Sequence, residues 1–309
     1  MSSASARRPA VLCAGIAVED FIFKVDRFPE PGAKIYAAGL VATPGGCAAN
    51  AAIAVARLGG EARFAGPVGT DEASSRFLDG LARTGVDASG IMRVAGGSIS
   101  VSGIFIDRAG EKMVATRRGE NLADARPWDA AGLVAGVDVV MADNRFPAFV
   151  QPILEAAKRR GIPAVLDGDR AAEPDDVLFR LASHIIFSSE ALRATTGISD
   201  LGAALGVIAA RTRGFVAVTN GPDDVLWLEG TGVRRMPVFA VAAVDTLGAG
   251  DTFHGAFALA LAEGHDPIAG MRFGAAAAAL KCTRFGGISG TPTRAEVEAF
   301  LAAREIDLK

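Results

Sequence analysis

Residues 244–255 read Val-Asp-Thr-Leu-Gly-Ala-Gly-Asp-Thr-Phe-His-Gly, and this stretch carries most of what the sequence says about fold and chemistry. A glycine-rich turn runs directly into a helical pattern. The backbone amides of Gly248, Ala249 and Gly250 are therefore expected to point outward at the start of a helix. Such a start binds anions, because the first amides lack partners and the helix dipole is positive there.

Asp251 follows in the first turn of this predicted helix. A carboxylate beside an anion site is unusual, because the two negative charges repel each other. The combination makes sense if the carboxylate accepts a proton from a hydroxyl that attacks a phosphoryl group. The helix dipole helps to keep Asp251 ionised at neutral pH. The alternative is an aspartate that only caps a helix after a glycine turn.

Other glycine-loop chemistries fit the chain less well. No G-x-x-x-x-G-K-[ST] motif occurs, so the sequence does not predict a P-loop enzyme. Position 253 is Phe, where a dinucleotide fingerprint that begins at Gly248 would need its third glycine.

A second glycine pair, Gly45-Gly46, precedes another predicted helix that contains Asn50 in its first turns. The two glycines would let a polyhydroxyl ligand approach backbone amides, and Asn50 offers a donor and an acceptor to hydroxyl groups. Asp20 closes the first predicted strand, at the edge of the sheet where α/β folds place ligand-binding groups. These residues predict a binding site for a polyhydroxyl compound.

The pattern of apolar residues predicts an α/β fold. Short apolar runs alternate with helical patterns, which is typical of parallel β-α-β units with helices on both faces of a doubly wound sheet. The predicted buried strands are 11–18, 62–68, 137–142, 164–166, 184–187 and 215–218. The predicted helices are 48–58, 74–84, 148–160, 201–211, 250–263 and 267–283.

A second kind of strand alternates apolar and polar residues. Segments 20–26, 98–107 and 112–116 have this pattern, which is typical of half-exposed antiparallel strands, and segment 34–41 is also extended and rich in β-forming residues. They come from two separate places in the chain. We therefore expect a small additional sheet that acts as a lid, as a dimer surface, or as both.

Composition narrows the class of protein. The chain has 309 residues, of which 50% are apolar, and a net charge of −3. It can bury a large core, and it has no overall positive field with which to grip nucleic acid. Three cysteines without a C-x-x-C pair favour a reducing, cytoplasmic location over a disulfide framework or a zinc site.

Two further expectations concern membranes and targeting. No run of 18 uncharged apolar residues occurs, so we expect no membrane span. The apolar run 9–18 could belong to a targeting segment, but it ends in Glu19-Asp20 without a small-residue cleavage site. We interpret it as the first buried strand.

Three motifs together resemble the ribokinase-like (PfkB-type) carbohydrate kinases over roughly residues 10–300. They are Gly45-Gly46-x-x-x-Asn50, Val68-Gly69-x-Asp71 and Asp245-Thr246-x-Gly248-Ala249-Gly250-Asp251. The resemblance implies one ribokinase-like kinase domain over residues 1–309, with lid strands inserted at about 20–42 and 97–118. It also implies ATP-dependent phosphorylation of a sugar hydroxyl with Mg²⁺.

The resemblance also implies roles for individual residues. Asp251 is then the catalytic base, and the amides of Gly248, Ala249 and Gly250 form the anion hole. The residues implied to hold the sugar are Asp20, Gly45, Gly46 and Asn50. Those implied to contact the nucleotide are Ser188, Thr219, Gly221, Ala276, Ala279 and Gly287.

Metal positions are carried over in the same way. Glu190 matches the family's N-x-x-E motif, in which Ser188 stands where an Asn is expected. Many members also bind a monovalent cation such as K⁺ near the equivalent of Asp245. The five alanines 275–279 either serve close helix packing or present a flat surface to the adenine ring.

Within the family, segments 142–145, 166–169, 253–256 and 279–287 resemble bacterial sulfofructose kinases. Lys34, expected on a lid strand, and Arg145 match positions that flank an anionic group on the ketose. Two cations are not needed for a neutral sugar but suit a sulfonate or phosphate. The alternative is a solvated lysine and a surface arginine.

The sequence thus predicts an ATP-dependent kinase for a primary hydroxyl of a ketose, with sulfofructose as the candidate. The alternatives are kinases for fructose, ribose, another ketohexose or a nucleoside, and a non-catalytic sugar or nucleotide sensor. The expected partners are the small-molecule sugar, ATP and a second copy of the chain bound through the lid. Nucleic acid and membranes are not expected as partners.

Overall fold

A computed structural model of the chain describes residues 7–304. In chain order its elements are β1 (Ala10–Ala14), β2 (Val18–Lys24), β3 (Gly39–Gly45), α1 (Cys47–Arg57), β4 (Glu61–Val68), α2 (Glu72–Ala82), β5 (Asp87–Arg93), β6 (Ser100–Ile106), β7 (Lys112–Arg117), α3 (Ala130–Leu133), β8 (Val139–Asp143), α4 (Pro147–Arg159), β9 (Ala164–Gly168), α5 (Val177–Leu181), β10 (His184–Ser188), α6 (Ser189–Thr196), α7 (Leu201–Ala209), β11 (Phe215–Thr219), β12 (Val225–Glu229), β13 (Gly232–Met236), α8 (Ala249–Ala262), α9 (Pro267–Cys282), a 3₁₀ turn (Gly287–Gly290) and α10 (Arg294–Ala302).

The larger sheet has the strand order β13-β12-β11-β10-β9-β8-β1-β4-β5. The strands from β11 through β5 in this order are parallel, and the β11-β12-β13 edge is antiparallel. The chain winds outward in both directions from β1. This arrangement confirms the predicted doubly wound, mostly parallel sheet, and it places a crevice at the carboxyl ends of β1 and β8.

Side chains on β1 alternate between two cores. Val11 and Cys13 pack into the core that contains α1, α8 and α9, and Leu12 and Ala14 pack into the core on the opposite face. Both faces of a parallel strand are buried under helices, so such strands are apolar throughout. This is why the strands at the centre of the sheet were recognisable as short, continuous apolar runs.

Four strands in the order β3-β2-β6-β7 form a second sheet, called the lid sheet below. Its neighbours are antiparallel except for the parallel β2-β6 pair. Ile22, Ile104 and Ile106 on its inner face pack with Leu247 and Phe285. The lid sheet therefore lies against the turn that precedes α8.

Helix starts differ between the site and the rest of the molecule. α2, α7 and α9 begin at aspartates, Asp71, Asp200 and Asp266, whose carboxylates accept first-turn amides. α1 and α8 begin instead at Gly46 and Gly248, which have φ of 99° and 75° and no side-chain cap. At α8 the amides of Gly250 and Asp251 are left for other partners, which is the arrangement of an anion-binding helix start, whereas at α1 the amide of Ala48 donates to Asp143.

Three expectations about local structure are corrected. The predicted strand 11–18 is two strands, β1 and β2, which are separated at Gly15, where φ is +153° and a Cβ would collide with Asp143. Asp20 consequently lies within β2 of the lid sheet and not at the end of the first strand. The predicted lid strand 34–41 begins only at Gly39, so Lys34 lies in an exposed loop.

No helix among residues 7–304 is long and apolar enough to cross a membrane.

Candidate active site

Asp251 and Asn50 meet at the crevice between the starts of α8 and α1. Asn50 Nδ2 donates to Asp251 Oδ2 at 2.6 Å. The other amide atom, Asn50 Oδ1, is buried without a hydrogen-bond partner among the described residues. A buried acceptor of this kind is costly to leave unpaired. A substrate hydroxyl that donates to Asn50 Oδ1 while facing Asp251 would satisfy it.

The turn before α8 leaves the space around Asp251 open. Gly248 adopts a left-handed conformation, and the side of Gly250 where a Cβ would stand meets no atom within 4 Å. The amides of Gly250 and Asp251 have no acceptor among residues 7–304. The amide of Ala249, predicted to belong to the anion hole, donates instead to the carbonyl oxygen of Thr246 at 3.3 Å. The free amides beside the carboxylate at this helix start are those of Gly250 and Asp251.

The two glycines before α1 are required by close contacts. A Cβ on Gly45 would lie 2.0 Å from Asp20 Oδ2, and a Cβ on Gly46 would lie 2.5 Å from the carbonyl oxygen of Ile16. Gly45 thus lets the carboxylate of Asp20 approach the start of α1, and Gly46 lets the backbone of Ile16 approach it. The structure brings together Asp20, Asn50 and the glycine pair, as the resemblance implied.

Carboxylates from neighbouring strands line the same crevice. Asp143 ends β8 and accepts hydrogen bonds from the amides of Ile16, Ala48 and Arg145. Asp167 on β9 is the register partner of Asp143. The ligand atoms of Asp167, Asp251 and Cys47 lie within 4.8 Å of one another. The carboxyl ends of β8 and β9 therefore place carboxylates beside Asp251, the predicted base at the start of α8.

Arg145 is the cation of this crevice. Its guanidinium pairs with Asp169, whose carboxylate also lies 3.6 Å from the Cys47 thiol. Arg145 Nε is buried and has no acceptor among the described residues. The Arg145 side chain is thus only partly exposed, at 35%, and part of its hydrogen-bonding capacity remains available.

Burial controls the electrostatics of the acidic groups. It raises the pKa of Asp251 to about 7, with smaller contributions from the charges of Asp169 and Asp20, whereas the hydrogen bond from Asn50 lowers it. Burial likewise raises the pKa of Asp20 to about 6. A base with a pKa near neutrality is well matched to accept a proton at that pH.

Asp167 and His254 are also desolvated. Burial, followed by the charges of Asp169 and Asp251, raises the pKa of Asp167 well above its usual value. Burial lowers the pKa of His254, whose ring nitrogens lie 2.8 Å from the carbonyl oxygen of Gly250 and 3.3 Å from that of Ile186. His254 thus ties the first turn of α8 to β10 beneath the crevice.

Asp245, at the other end of the turn, is surrounded by donors. Its Oδ1 accepts from the amide of Leu247 at 2.8 Å and lies 3.1 Å from Lys281 Nζ. Its Oδ2 accepts from the amides of Gly286 and Gly287 at 2.9 and 2.8 Å. A carboxylate has about four acceptor sites, and all are filled here by the protein. Asp245 is therefore not available as a ligand for Mg²⁺ or K⁺.

The predicted nucleotide residues separate into two groups. Ser188 and Thr219 are register partners at the carboxyl ends of β10 and β11, and Gly221 follows with a left-handed conformation and open space at its Cβ position. Glu190 is exposed in the first turn of α6. These four residues lie on one edge of the sheet, so their assignment stays a coherent prediction.

The other predicted nucleotide residues, Ala276, Ala279 and Gly287, are buried. Ala276 is fully buried in the core between α8 and α9, so its methyl group serves helix packing and not a ligand surface. Ala279 is 8% exposed. The amide of Gly287 donates to Asp245, and a Cβ there would approach Ile22 of the lid sheet at 2.8 Å. Gly287 thus holds the turn before α8.

The structure places Lys112, and not Lys34, near the carboxylate of Asp251. Lys34 is exposed, with Nζ 5.5 Å from the centre of the Tyr36 ring. Lys112, at the start of β7, is close enough for its charge to lower the pKa of Asp251. The sequence interpretation gave Lys112 no role. Its exposed position in the lid strand carried no signal that distinguished it from a solvated lysine.

Comparison with known proteins agrees with this geometry. Residues 8–294 match the model of the pfkB family carbohydrate kinases. The chain belongs to the pfkB family of carbohydrate kinases. Members are ATP-dependent phosphotransferases that act on an alcohol group, and this pfkB kinase has the ribokinase-like fold of the family.

Individual relatives of this pfkB kinase cover almost its whole length. A ribokinase of Bacillus subtilis is 29% identical, with 92% of this chain and 96% of the relative aligned. An ATP-dependent ribose-1-phosphate kinase of Halopiger xanaduensis is 30% identical, over 95% and 98%. A crystal structure from Agrobacterium tumefaciens, described as a candidate ribokinase, is 39% identical with a TM-score of 0.91, over 97% and 100%.

Sequence reasoning assigned no role to several residues that the structure places at the crevice. Asp143 and Asp167 lie at the ends of predicted buried strands, so the argument applied to Asp20 would have found them. Cys47 follows the glycine pair directly. Lys281 was detectable as a single charge in an otherwise apolar helix segment, but its partner Asp245 is 36 positions away.

Proposed function

We propose that this pfkB kinase transfers the γ-phosphoryl group of ATP to a primary hydroxyl of a ketose, with Asp251 as the base. The observation that carries this proposal is the carboxylate of Asp251 at an uncapped helix start, desolvated and beside free amides. A helix start whose amides and carboxylate face one space suits a hydroxyl that loses its proton while attacking a phosphoryl group.

The proton and charge movements follow from these positions. Asn50 and Asp20 hold hydroxyls of the sugar, and the attacking hydroxyl donates to Asp251. Asp251 accepts the proton as the oxygen–phosphorus bond forms. The amides of Gly250 and Asp251 stabilise negative charge on the transferred group. The lid sheet lies over the same turn and excludes water, which limits hydrolysis of ATP.

We propose Glu190 as the residue that organises Mg²⁺, because its carboxylate is exposed beside Ser188 and Thr219 and supplies hard oxygen ligands. When bound, Mg²⁺ neutralises charge on the phosphates. The group formed by Cys47, Asp167 and Asp251 suits Mg²⁺ less well, because a thiol prefers softer metals.

For the sugar itself, we propose an anionic ketose, with sulfofructose as the compound to test first. The supporting observation is the buried, unpartnered Nε of Arg145 in the crevice. A guanidinium offers paired donors to sulfonate or phosphate oxygens. Asp169 already holds one side of Arg145, so the anionic group would bind the remaining donors.

A neutral furanose is the second candidate. The relatives named above act on ribose or ribose 1-phosphate, which favours ribose as the neutral sugar to test. A nucleoside fits less well, because Phe23 and Phe105 of the lid sheet stack on each other at 5.4 Å.

The test is ADP release from MgATP with sulfofructose, fructose, ribose, phosphosugars and nucleosides. Arg145→Ala should raise KM for the anionic ketose about tenfold or more and leave fructose nearly unchanged, because hydrogen bonds to charged groups contribute roughly 1.5–3 kcal/mol. Arg211→Ala is the matched control, since Arg211 only donates to a carbonyl of its own helix. Equal effects on both sugars would contradict the anion site but not the proposed kinase activity.

We also propose that two copies associate through the lid sheet. Leu40 on β3 and Met113 and Val114 on β7 are 57%, 44% and 47% exposed, and β3 and β7 are the two edges of that sheet. Exposed apolar residues on edge strands favour pairing with another copy. Sedimentation of the wild-type chain and of Val114→Asp should show a dimer and a monomer, respectively; a monomeric wild type contradicts the proposal.

A further inference from the structure

Lys281 is a lysine without exposure to solvent. It lies one residue before the end of α9, and its side chain is 0% exposed. Nζ donates to the carbonyl oxygen of Asp245 at 2.7 Å and lies 3.1 Å from Asp245 Oδ1. Lysine is almost never fully buried without a partner, so this contact defines its place in the fold.

The negative charge of the buried Asp245 carboxylate is compensated by groups of the protein itself. Asp245 is also 0% exposed, and a buried carboxylate without compensation is strongly destabilising. The amides of Leu247, Gly286 and Gly287 fill three of its acceptor sites, and Lys281 fills the fourth. No acceptor site of this carboxylate remains for an ion from solution.

The contact lies at the root of the turn that carries the anion hole. The amides of Val244 and Asp245 donate to the carbonyl oxygen of Cys282, and Asp245 in turn holds the amide of Leu247. Gly248 follows directly. Lys281 therefore connects the end of α9 to the turn whose amides begin α8, and it is a positioning residue for that turn.

We propose that the Lys281 ammonium takes the place of a monovalent cation beside the anion-hole turn, so that this kinase works without added K⁺. The K⁺ expected near Asp245 from the family resemblance is replaced by a covalently attached charge. Such a charge is present at every salt concentration, whereas a bound ion is subject to mass action. The inference rests on the proposed kinase activity for every readout except the melting temperature.

The first readout uses the wild-type chain. ADP release is measured with tetramethylammonium chloride and then with KCl at equal ionic strength. We expect kcat and KM for ATP to agree within about twofold, because no site for the ion remains at Asp245. A rise of about tenfold or more with K⁺ would overturn the proposal. If no sugar supports ADP release, the proposed function fails, and the melting temperatures described next decide about Lys281.

The second readout uses Lys281→Ala, which opens a cavity beside Asp245. In tetramethylammonium its kcat should fall about tenfold or more, and K⁺, NH₄⁺ or methylamine should restore part of it. The same ions should raise the melting temperature of the variant and not that of the wild type. Lys158→Ala is the control, because Lys158 also donates to a carbonyl but is exposed and distant from the turn.

The outcomes separate a positioning role from a merely structural one. A folded Lys281→Ala with wild-type kcat in tetramethylammonium contradicts the proposal. So does a variant whose loss of stability and rate no cation reverses. If Lys281→Ala does not fold in tetramethylammonium, folding on addition of K⁺ supports the proposal. Lys281→Gln, which retains a donor without a charge and fills the cavity, should then fold and show the same loss of kcat with little gain from K⁺, and a wild-type kcat in this variant would contradict the proposal.

Discussion

Asp245 and Asp251 stand at the two ends of one turn, and their surroundings are opposite. Asp245 receives three amides and an ammonium group, so its charge is fully compensated. Asp251 receives one amide, that of Asn50, and is otherwise desolvated, so its pKa rises to about 7. The comparison shows how one segment provides a carboxylate that holds the backbone and another that can exchange a proton.

The largest effect is expected at Asp251, the end of the turn that can accept a proton. Asp251→Asn keeps the shape and the contact with Asn50 but cannot accept a proton at neutral pH. Turnover should fall at least ~10²-fold, the low end for a positioned base. Binding of ATP should remain nearly intact. The melting temperature at pH 8 should rise, because a desolvated charge is removed. A variant with near-wild-type turnover would show that Asp251 is not the base.

The next largest effect is expected at Asp245, the end of the turn whose carboxylate holds the backbone. Asp245→Asn leaves the Lys281 ammonium buried without its counter-charge and sets an amide donor against backbone amides. Removing one partner of a buried pair costs about 3–5 kcal/mol of unfolding free energy. Urea unfolding measures this loss. Glu229→Gln, which breaks an exposed pair with Arg234, is the control and should cost no more than about 1 kcal/mol. Equal losses in both variants would contradict the compensated site.

A smaller effect concerns the hydrogen bond from Asn50 to Asp251. This bond stabilises the ionised carboxylate and lowers its pKa. Asn50→Ala should therefore move the acid limb of kcat/KM to higher pH, besides raising KM for the sugar. The pH profile of kcat/KM in both proteins measures the displacement. A limb that stays in place, or moves to lower pH, would show that the hydrogen bond from Asn50 does not lower the pKa of Asp251.

The smallest effect concerns Lys34. It lies in an exposed loop beside Tyr36 and not on a lid strand, so its charge is solvated. Lys34→Ala should change KM for any sugar by less than about twofold. An increase comparable with that of Arg145→Ala, measured on the same anionic ketose, would restore Lys34 to the substrate site.

Local patterns predicted much of this molecule. The period of the apolar residues indicated a parallel sheet with helices on both faces, because strands buried on both sides are continuously apolar. The alternating segments indicated the lid sheet. The glycines before α1 and α8 marked the two helix starts of the site, because positive φ and close approach both favour glycine.

Tertiary structure decided what local patterns could not. The strand 34–41 was predicted from β-forming residues such as Ile35 and Tyr36, but pairing with β2 begins only at Gly39. Burial of Ala276 depends on packing between α8 and α9, which a run of alanines does not specify. The pairing of Lys281 with Asp245 depends on how α9 ends beside a turn far away in sequence.

The most direct test of the account is the pH dependence of kcat/KM for the best sugar, measured from pH 5.5 to 9 in the wild type. We expect an acid limb with a midpoint at about 7, below which the rate constant falls tenfold per pH unit because protonated Asp251 cannot accept the hydroxyl proton. Residual activity of Asp251→Asn should lack this limb. A wild-type rate constant that is level from pH 5.5 to 9, or a limb that persists in Asp251→Asn, would contradict the assignment of Asp251 as the base.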